Sequence, residues 1–493
     1  MSSSATSPPR VTQSRRDALI LTVAAVLVRF PTLGAQSFDR DEAFTAGVVL
    51  HPGLVDTGRA IGSETSPPLF YFLVWPFYKL FGNGEVSLRF VSAAVGAATA
   101  PVAYELGRTL ASRRVGLVIG ALVAVNPLLF WYSQDARPYA LLVFLGTLSL
   151  LLMVKALEAP TTPRLAGWAV AAAAAFATHW FAGFLIGPEA VWLVARSRDR
   201  RRAAWAVAAA AAAMAVLVPL LIHQAIHGGG DWIATIQLGD RLRSAGEGFL
   251  VGVYADRLHP APLAALALVV AGLALLVIRA DGRDRRGGLL ALGMGGAAIL
   301  LPLAISLIGP DFLIDKNLLA ALVPLGLAVA AGMGARRAGK LGVALAAGLI
   351  GLSLGIVIAV SSDAGLQRWD WRDAVRAMGR PHASRAIVLP FNGDASLEIQ
   401  LDEWRLLTVP HARVSEVVVF GNEDPREVRL PSGFREVERR RLRSFPMTRY
   451  RAARPQLISR RALAMTRIGG RCIPDPKIRG CEQSTVLLQG PES

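Results

Sequence analysis

The sequence is poor in charged residues and contains almost no cysteine. Only 18% of its 493 residues are charged, against about 25% in soluble domains, and two are cysteines. The low charge argues against a soluble protein, and the scarcity of cysteine excludes a disulfide-rich secreted scaffold. Glycine shows no repeat, which excludes a collagen-like fibre, and a hydrophobic content of 53% excludes disorder. A polytopic membrane protein remains.

Eleven apolar runs approach the roughly 20 residues that a helix needs to cross a bilayer. The aromatic stretch 67–81 is broken by prolines and predicts an interfacial helix, with a twelfth span as the alternative. Arg29 and Glu189 are the charged residues that lie away from the ends of these runs, and we favour a structural role for Glu189. The eleven runs lie at 18–34, 88–107, 115–132, 139–157, 165–180, 181–195, 203–226, 261–278, 288–308, 318–335 and 341–361.

Basic residues divide unequally between the two sets of connecting loops. One alternate set carries 20 of them and the other carries eight, although its loops are longer. The positive-inside rule then places the N-terminus in the cytoplasm, and an odd number of spans places the C-terminus outside. The net charge of +17 is explained by attraction to the anionic inner leaflet, so nucleic acid is not needed as a partner. We predict a multi-pass protein of the inner (plasma) membrane.

Composition predicts three regions. Residues 1–17 are predicted to be a disordered cytoplasmic tail, and residues 18–361 are predicted to form an α-helical transmembrane domain. Residues 362–493 carry 23 of the 53 basic residues and no spanning run. They predict a small extracytoplasmic α/β domain with a helix at 370–378 and strands at 386–390, 417–420 and 485–488. Because thiols oxidise outside the cytoplasm, Cys472 and Cys481 are predicted to form a disulfide. A zinc site is the alternative, disfavoured because further ligands are not near in sequence.

Four polar segments are predicted to lie on the outer side of the membrane, at 38–44, at 65–71 with Arg89 after it, at 131–139 and at 309–317. Three carboxylates within four residues repel each other, so the pKa of at least one of them should rise, which would suit a general base. The alternative is that these residues form an ordinary solvated loop. Arginine and lysine at the other segments suit a phosphate group, against the alternatives of a snorkelling anchor or a structural turn. A lone histidine nearby is more often an interface residue than a base. The candidate residues are Asp39, Asp41, Glu42, Ser66, Arg89, Arg137, Tyr139, His179 and Lys316.

Together these groups suit a reaction on a lipid phosphate at the outer membrane surface. An apolar bundle would hold the lipid tail, cations would neutralise the phosphate, and a carboxylate would reach an acceptor on the water side. The prediction requires the acidic segment around Asp41 and the guanidinium of Arg137 to face a common pocket.

The order of the motifs resembles the glycosyltransferase C superfamily. Asp41-Glu42-Ala43 is followed by Pro-Pro-Leu-Phe-Tyr at 67–71 and by Tyr-Ser-Gln-Asp-Ala-Arg-Pro-Tyr-Ala at 132–140, which is the most specific piece. The likeness is to the family-39-like branch, with the protein O-mannosyltransferases and the lipid A aminoarabinose transferases. In two places the chain departs from that pattern, since Ser66 replaces a common histidine and Lys316-Asn317 replaces Arg-Tyr.

The resemblance implies inverting transfer of a hexose or pentose from a polyprenyl-phosphate donor. The acceptor would be an extracytoplasmic hydroxyl on a cell-envelope glycan, lipid or protein. Asp41 would be the general base with Glu42 beside it, and Arg137, Lys316 and Arg89 would bind the donor phosphate. A divalent metal, Mg²⁺ or Mn²⁺, at Asp41 and Glu42 is a further possibility, because carboxylates suit both ions.

Two other functions stay open at this point. A transporter or lipid-linked sugar flippase should show internal repeats and helices broken near the midplane, and no clear repeat is visible. An anchoring protein would bind its partner through residues 362–493.

Overall fold

The computed structural model describes residues 10–82, 84–227, 231–309, 311–390, 394–401, 403–422, 428, 430–466 and 484–490. The chain divides into two compact units. The helical unit comprises Met1–Leu33 and Val48–Val360, and the sheet unit comprises Gly34–Gly47 and Ser361–Ser493. The second break coincides with the change in composition near residue 361. Nothing in the sequence predicted that residues 34–47 belong with the tail.

The helices follow the apolar runs closely. In chain order they are α1 Arg10–Arg29, α2 Arg40–Val49, α3 Leu54–Ile61, α4 Leu69–Phe81, α5 Glu85–Leu110, α6 Arg113–Val125, α7 Pro127–Ser133, α8 Tyr139–Glu158, α9 Thr162–Phe176, α10 Gly183–Arg196, α11 Arg200–Ala215, α12 Val218–His227, α13 Leu238–Val251, α14 Ala261–Ile278, α15 Gly282–Ser306, α16 Leu322–Gly334, α17 Gly339–Ser362, α18 Trp371–Met378, α19 Asp394–Glu398 and α20 Arg460–Ala464. Single 3-10 turns lie at Trp180–Ala182, Asp231–Thr235, Ala255–Arg257, Asp315–Ala321, Arg336–Ala338 and Ala364–Leu366.

Within the described residues, six helical segments are long and apolar enough to cross a membrane. Two bent pairs, α6 with α7 and α11 with α12, would raise the number to eight. The predicted runs at 165–180 and 181–195 form helices of only 15 and 14 residues, separated by a 3-10 turn. The helical, polytopic character is confirmed, whereas the number eleven and the orientation stay predictions.

Residues 10–17, part of the segment predicted to be a disordered tail, lie in the first turns of α1. Asp17 explains the difference, because Nε and Nη2 of Arg113 donate to its carboxylate at 2.6 and 2.8 Å. The Tyr104 hydroxyl donates to the same carboxylate at 2.9 Å. These bonds tie the polar start of the helix to α5 and α6.

Arg29 is fully buried and compensates for an interruption in the backbone hydrogen bonds between α6 and α7. Pro127 has no N–H, so the carbonyl of Val123 lacks its usual partner four residues later, and the chain bends by 54° between α6 and α7. Arg29 donates to the carbonyls of Val123 and Ala124 at 2.9 and 2.6 Å, and its Nε donates to the Ser133 hydroxyl at 3.0 Å. The charge of Arg29 therefore has a structural use.

Glu189 is also fully buried and acts as a hydrogen-bond acceptor. Its carboxylate accepts from the Trp168 indole N–H at 2.9 Å and from the Ser149 hydroxyl at 3.1 Å. These contacts join α10 to α9 and α8, and they favour the structural role expected for this residue.

The sheet unit contains a six-stranded mixed sheet, as the prediction of an α/β domain requires. Its strands are β1 Arg385–Pro390, β2 Arg405–Leu406, β3 His411–Phe420, β4 Phe434–Arg441, β5 Pro446–Ser459 and β6 Ser484–Gln489. Their order is β2-β6-β1-β3-β5-β4, with β1 and β3 parallel and the other pairs antiparallel.

Both faces of the central strands are covered, which is why those strands are continuously apolar. Ile387 and Leu389 point to a core with Trp371 of α18, whereas Ala386 and Val388 point to the opposite core. The three predicted strands and the predicted helix are all present. The strands β2, β4 and β5 were not predicted. The strand β2 has only two residues, and β4 is an exposed edge that is rich in arginine and lacks an apolar signature.

Candidate active site

A buried turn between α7 and α8 holds Arg137. The Gln134 side-chain amide donates to the backbone oxygen of Arg29, and the Ser92 hydroxyl donates to the backbone oxygen of Arg137 at 3.4 Å. Gln134, Asp135 and Arg137 are each no more than 5% exposed. The turn is therefore held against α1 and α5 rather than being a mobile loop.

Glu64 is the carboxylate that contacts Arg137. Its Oε2 lies 3.3 Å from Nη1 of Arg137 and accepts a hydrogen bond from the Tyr71 hydroxyl at 3.0 Å. The Arg137 and Glu64 side chains are only 5% and 11% exposed. Because a buried guanidinium is stabilised by a neighbouring carboxylate, Glu64 helps to hold Arg137 in place.

Aromatic rings surround this pair. The ring of Tyr139 lies 4.8 Å from that of Tyr132 and 5.7 Å from that of His179. The Lys316 Nζ lies 5.8 Å from the centre of the Tyr139 ring, within cation–π range. We call the set of Glu64, Tyr71, Arg137, Tyr139, His179 and Lys316 the arginine cluster.

The cluster unites several of the predicted residues. The positive charges of Arg137 and Lys316 both act on His179, so the two predicted phosphate ligands lie in one neighbourhood of the helical unit. His179 itself is buried, and its Nδ1 accepts from the backbone N–H of Phe181 at 3.2 Å. This nitrogen is thus used in starting the 3-10 turn, which favours the structural interpretation of His179 over a base.

Lys316 follows a loop that Arg241 holds. Nη1 and Nη2 of Arg241 donate to the two carboxylate oxygens of Asp311 at 2.7 and 2.6 Å. Arg241 also donates to the backbone oxygens of Leu313 at 2.8 Å and Ile236 at 3.0 Å. Arg241 therefore positions the loop from which Lys316 reaches Tyr139.

Two predicted residues have structural partners. Arg89 is fully buried, and its Nη1 donates to the backbone oxygen of Leu33 at 3.0 Å. Full burial rules out a snorkelling anchor, and the bond to the turn that follows α1 favours a structural role over phosphate binding. Ser66 is buried, and its carbonyl accepts from Gln224 Nε2 at 3.1 Å, which fixes the start of α4.

The acidic residues belong to the sheet unit, where they differ from one another. Glu42 is fully buried, and its Oε2 accepts from the backbone N–H of Asp39 at 2.9 Å. This is the reciprocal bond of a capping box at the start of α2. The Asp39 side chain is 52% exposed and lies 3.8 Å from Nε of Arg368. Asp41 is half-buried on the first turn of α2.

This difference favours Asp41 over Glu42 as a proton acceptor, since Glu42 is used in capping its helix. The predicted common pocket for Asp41 and Arg137 stays a prediction. Cys472 and Cys481, and with them the predicted disulfide, lie outside the described residues.

The predicted divalent metal lacks a ligand set in the part of the chain that the structure describes. There, no three His, Cys, Asp or Glu side chains converge as a metal site requires. Glu42, one of the two expected ligands, already accepts a backbone hydrogen bond inside the protein.

An apolar cavity of about 480 Å³ lies between the helices of the helical unit. Leu129 of α7, the helix that leads to the Arg137 turn, lines it together with residues of α6 and α13 to α17. Nearly all of the lining is aliphatic, with Asn126, Arg243, Glu247 and Ser353 as the polar exceptions. A cavity of this kind suits a hydrocarbon chain.

Residues 65–223 match the family model described as dolichyl-phosphate-mannose-protein mannosyltransferase. The resemblance to the glycosyltransferase C superfamily is thereby confirmed. The matched segment contains Ser66, Tyr71, Arg89, Arg137, Tyr139 and His179. Glu64 lies one residue before it, and Asp41 and Lys316 lie outside it. No curated protein matches the chain.

Three solved structures are similar to parts of the chain. ArnT from Cupriavidus metallidurans in the apo state is 14% identical, with a TM-score of 0.45 over 64% of this chain and 59% of that chain. The oligosaccharyltransferase of Archaeoglobus fulgidus, in complex with Zn and sulfate, is 17% identical, with a TM-score of 0.43 over 73% of this chain and 55% of that chain. The S. cerevisiae Pmt1–Pmt2 complex bound to the sugar donor is 18% identical, with a TM-score of 0.34 over 45% and 34%. The chain thus spans less than two thirds of the length of each.

Glu64 and Arg241 were missed by sequence reasoning. Glu64 lies directly before the polar segment that begins at Thr65, and a carboxylate two residues before Ser66 and the paired prolines is the signal that was available. Arg241 had no such signal, since its partner Asp311 is 70 residues away in the chain.

Proposed function

We propose that the protein is a membrane glycosyltransferase that moves a sugar from a polyprenyl-phosphate donor to an extracytoplasmic hydroxyl, with inversion at the anomeric carbon. The arginine cluster carries this proposal. It combines Arg137 and aromatic side chains of the family-matched segment with Lys316, which lies outside that segment in the chain. The helical unit that holds the cluster also contains an apolar cavity.

The donor contributes two parts that need different surroundings. Its prenyl chain is apolar and suits the 480 Å³ cavity. Its phosphate is anionic and suits Arg137 and Lys316, because guanidinium and ammonium groups bind phosphate through charge-assisted hydrogen bonds. The flat ring of Tyr139 lies near both Lys316 and His179.

In the proposed reaction the acceptor oxygen attacks C1 of the sugar. Asp41 takes the proton of the hydroxyl, the new C1–O bond forms, and the bond from C1 to the phosphate oxygen breaks. The bonding electrons leave with the phosphate, whose growing negative charge Arg137 and Lys316 stabilise. A positioned base contributes about 10²–10⁴-fold to the rate.

Transfer in proteoliposomes tests the proposal. The purified full chain is reconstituted with a panel of polyprenyl-phosphate hexoses and pentoses, and the product is followed by mass spectrometry. We expect Asp41→Asn to lower kcat by about 10²-fold or more. Asp39→Asn, the matched exposed neighbour, should keep most of the activity. Full turnover by Asp41→Asn would remove the base assignment, and absence of transfer from every donor would remove the proposed function.

The acceptor requires a separate experiment. Envelope glycans, lipids and proteins from cells with and without the protein are compared by mass analysis. We expect a mass loss equal to one hexose or pentose in one of these classes. Identical profiles in all three classes would contradict transfer to a cell-envelope acceptor.

A further inference from the structure

Besides the apolar cavity, the helical unit has a polar cavity of about 350 Å³. It lies at the end of α8 that is opposite to the arginine cluster. Tyr139 begins this helix and Lys155 is in its last turn, so roughly 24 Å of helix separates the two positions. The cavity collects charged side chains from the ends of α5 and α8 and the beginnings of α9 and α15. Its lining is Glu105, Arg108, Thr109, Lys155, Glu158, Arg164 and Arg283.

Positive charge exceeds negative charge in this cavity, with four cations against two carboxylates. Glu105 accepts two bonds from Arg108, both at 2.8 Å, and lies 3.2 Å from Nζ of Lys155. Arg283 Nη2 lies 3.6 Å from the Glu158 carboxylate and also donates to the backbone oxygen of Thr109.

Arg164 differs from the other cations, because its Nη1 donates to a neutral group, the backbone oxygen of Lys155, at 2.7 Å. Because Glu158 offsets the charge of Arg283, the excess positive charge is concentrated where Arg164 borders the cavity. Independent arginines on solvated loops would extend away from one another. Here, side chains that are distant in sequence line the same cavity.

All four cations belong to the set of loop charges predicted to face the cytoplasm. Basic pockets between helices on that side bind the phosphates of anionic lipid headgroups. The guanidinium fork also matches phosphate oxygens, and the volume falls within the range of small-ligand sites.

We propose that this cavity binds a phosphate group, supplied by an anionic phospholipid headgroup or by a free phosphate anion. The site is independent of the proposed sugar transfer, because it lies at the other end of the helix that begins with Tyr139. Occupation would join the ends of α5, α8, α9 and α15 and should stabilise the helical unit.

The test uses the full chain in a neutral detergent with three probes: phosphatidylglycerol, phosphatidylcholine and inorganic phosphate. Retained lipid is measured by native mass spectrometry, and the unfolding midpoint by a thermal scan. We expect a saturable rise of the midpoint with phosphatidylglycerol and none with phosphatidylcholine. Arg164→Gln and Arg283→Gln should each weaken binding about fivefold, the value expected for one basic residue near a charged lipid surface.

Arg198→Gln is the matched control, since Arg198 is an exposed member of the same predicted cytoplasmic set and does not line the cavity. Arg283→Lys, which keeps the charge, should bind more strongly than Arg283→Gln. A saturable response to inorganic phosphate that Arg164→Gln weakens would support the site and assign it to a free anion. Equal binding by Arg198→Gln and Arg164→Gln, equal effects of the two lipids, or no response to any probe would overturn the proposal.

Discussion

Replacing Asp311 with asparagine is expected to destabilise the loop that leads to Lys316. Asp311 receives two hydrogen bonds from Arg241, at 2.7 and 2.6 Å. The side chains are 5% exposed for Arg241 and 20% for Asp311. The substitution leaves the guanidinium with two backbone carbonyls but without a counter-charge.

The size of the effect follows from burial. Removing one partner of a buried ion pair usually destabilises a protein by about 3–5 kcal/mol, because the other charge stays inside without compensation. The partial exposure of Asp311 places this pair at the lower end, about 3 kcal/mol. Replacing both partners by apolar residues, as in Arg241→Met with Asp311→Leu, removes the uncompensated charge and should recover much of that loss.

Acidity should remove the same stabilisation. The hydrogen bonds from Arg241 hold the pKa of Asp311 below its usual value. A carboxylate with a lowered folded pKa stabilises the protein above its unfolded pKa of about 3.9, and this stabilisation is lost as the pH falls through the folded value. The difference between the native protein and Asp311→Asn should therefore be full above about pH 5 and shrink below pH 4.

Thermal unfolding in detergent, followed by tryptophan fluorescence between pH 3 and 7, measures both effects. The unfolding midpoint of Asp311→Asn should lie below those of the native protein and the double variant at pH 7. A double variant less stable than either single variant, or a native advantage that persists unchanged at pH 3, would refute the reasoning.

Three further substitutions test the interior of the helical unit. Arg29→Met removes the donors to the α6 carbonyls that Pro127 leaves without a helical partner, and it should destabilise the protein by about 2–4 kcal/mol in the same thermal assay. A change below about 0.5 kcal/mol would contradict this. Gly96→Ala should also lower the midpoint, because a Cβ there would lie 2.2 Å from the Ser133 hydroxyl oxygen, and an unchanged midpoint would show that the helices move apart freely. Glu64→Gln should change the donor KM, and the effect should vanish in an Arg137→Gln background; independent, additive effects would exclude positioning of Arg137 by Glu64.

Local sequence was sufficient for the elements with the strongest hydropathy. The runs at 88–107, 139–157 and 261–278 became α5, α8 and α14 with small changes at the ends, because uninterrupted apolar residues leave the helix as the form that satisfies the backbone in lipid. The central strands β1, β3 and β6 were equally clear, since burial of both sheet faces demands continuous β-branched and aliphatic residues.

Sequence also named the candidate residues Arg137, Lys316 and Asp41, because charged groups are conspicuous in an apolar chain. It did not decide which of them are used in holding the fold. Arg89 and Glu42 have the same charge as the proposed functional groups, yet Arg89 binds a carbonyl in the turn after α1 and Glu42 caps its own helix.

Only the tertiary structure decided the partners. Glu64 meets Arg137 across 73 positions, and Arg241 meets Asp311 across 70. A buried charge must be neutralised by whichever group the fold brings next to it, and that choice depends on how helices pack. Hydropathy, which is local, specified the helices and strands of this protein. Charge pairing, which is not local, required the packed chain.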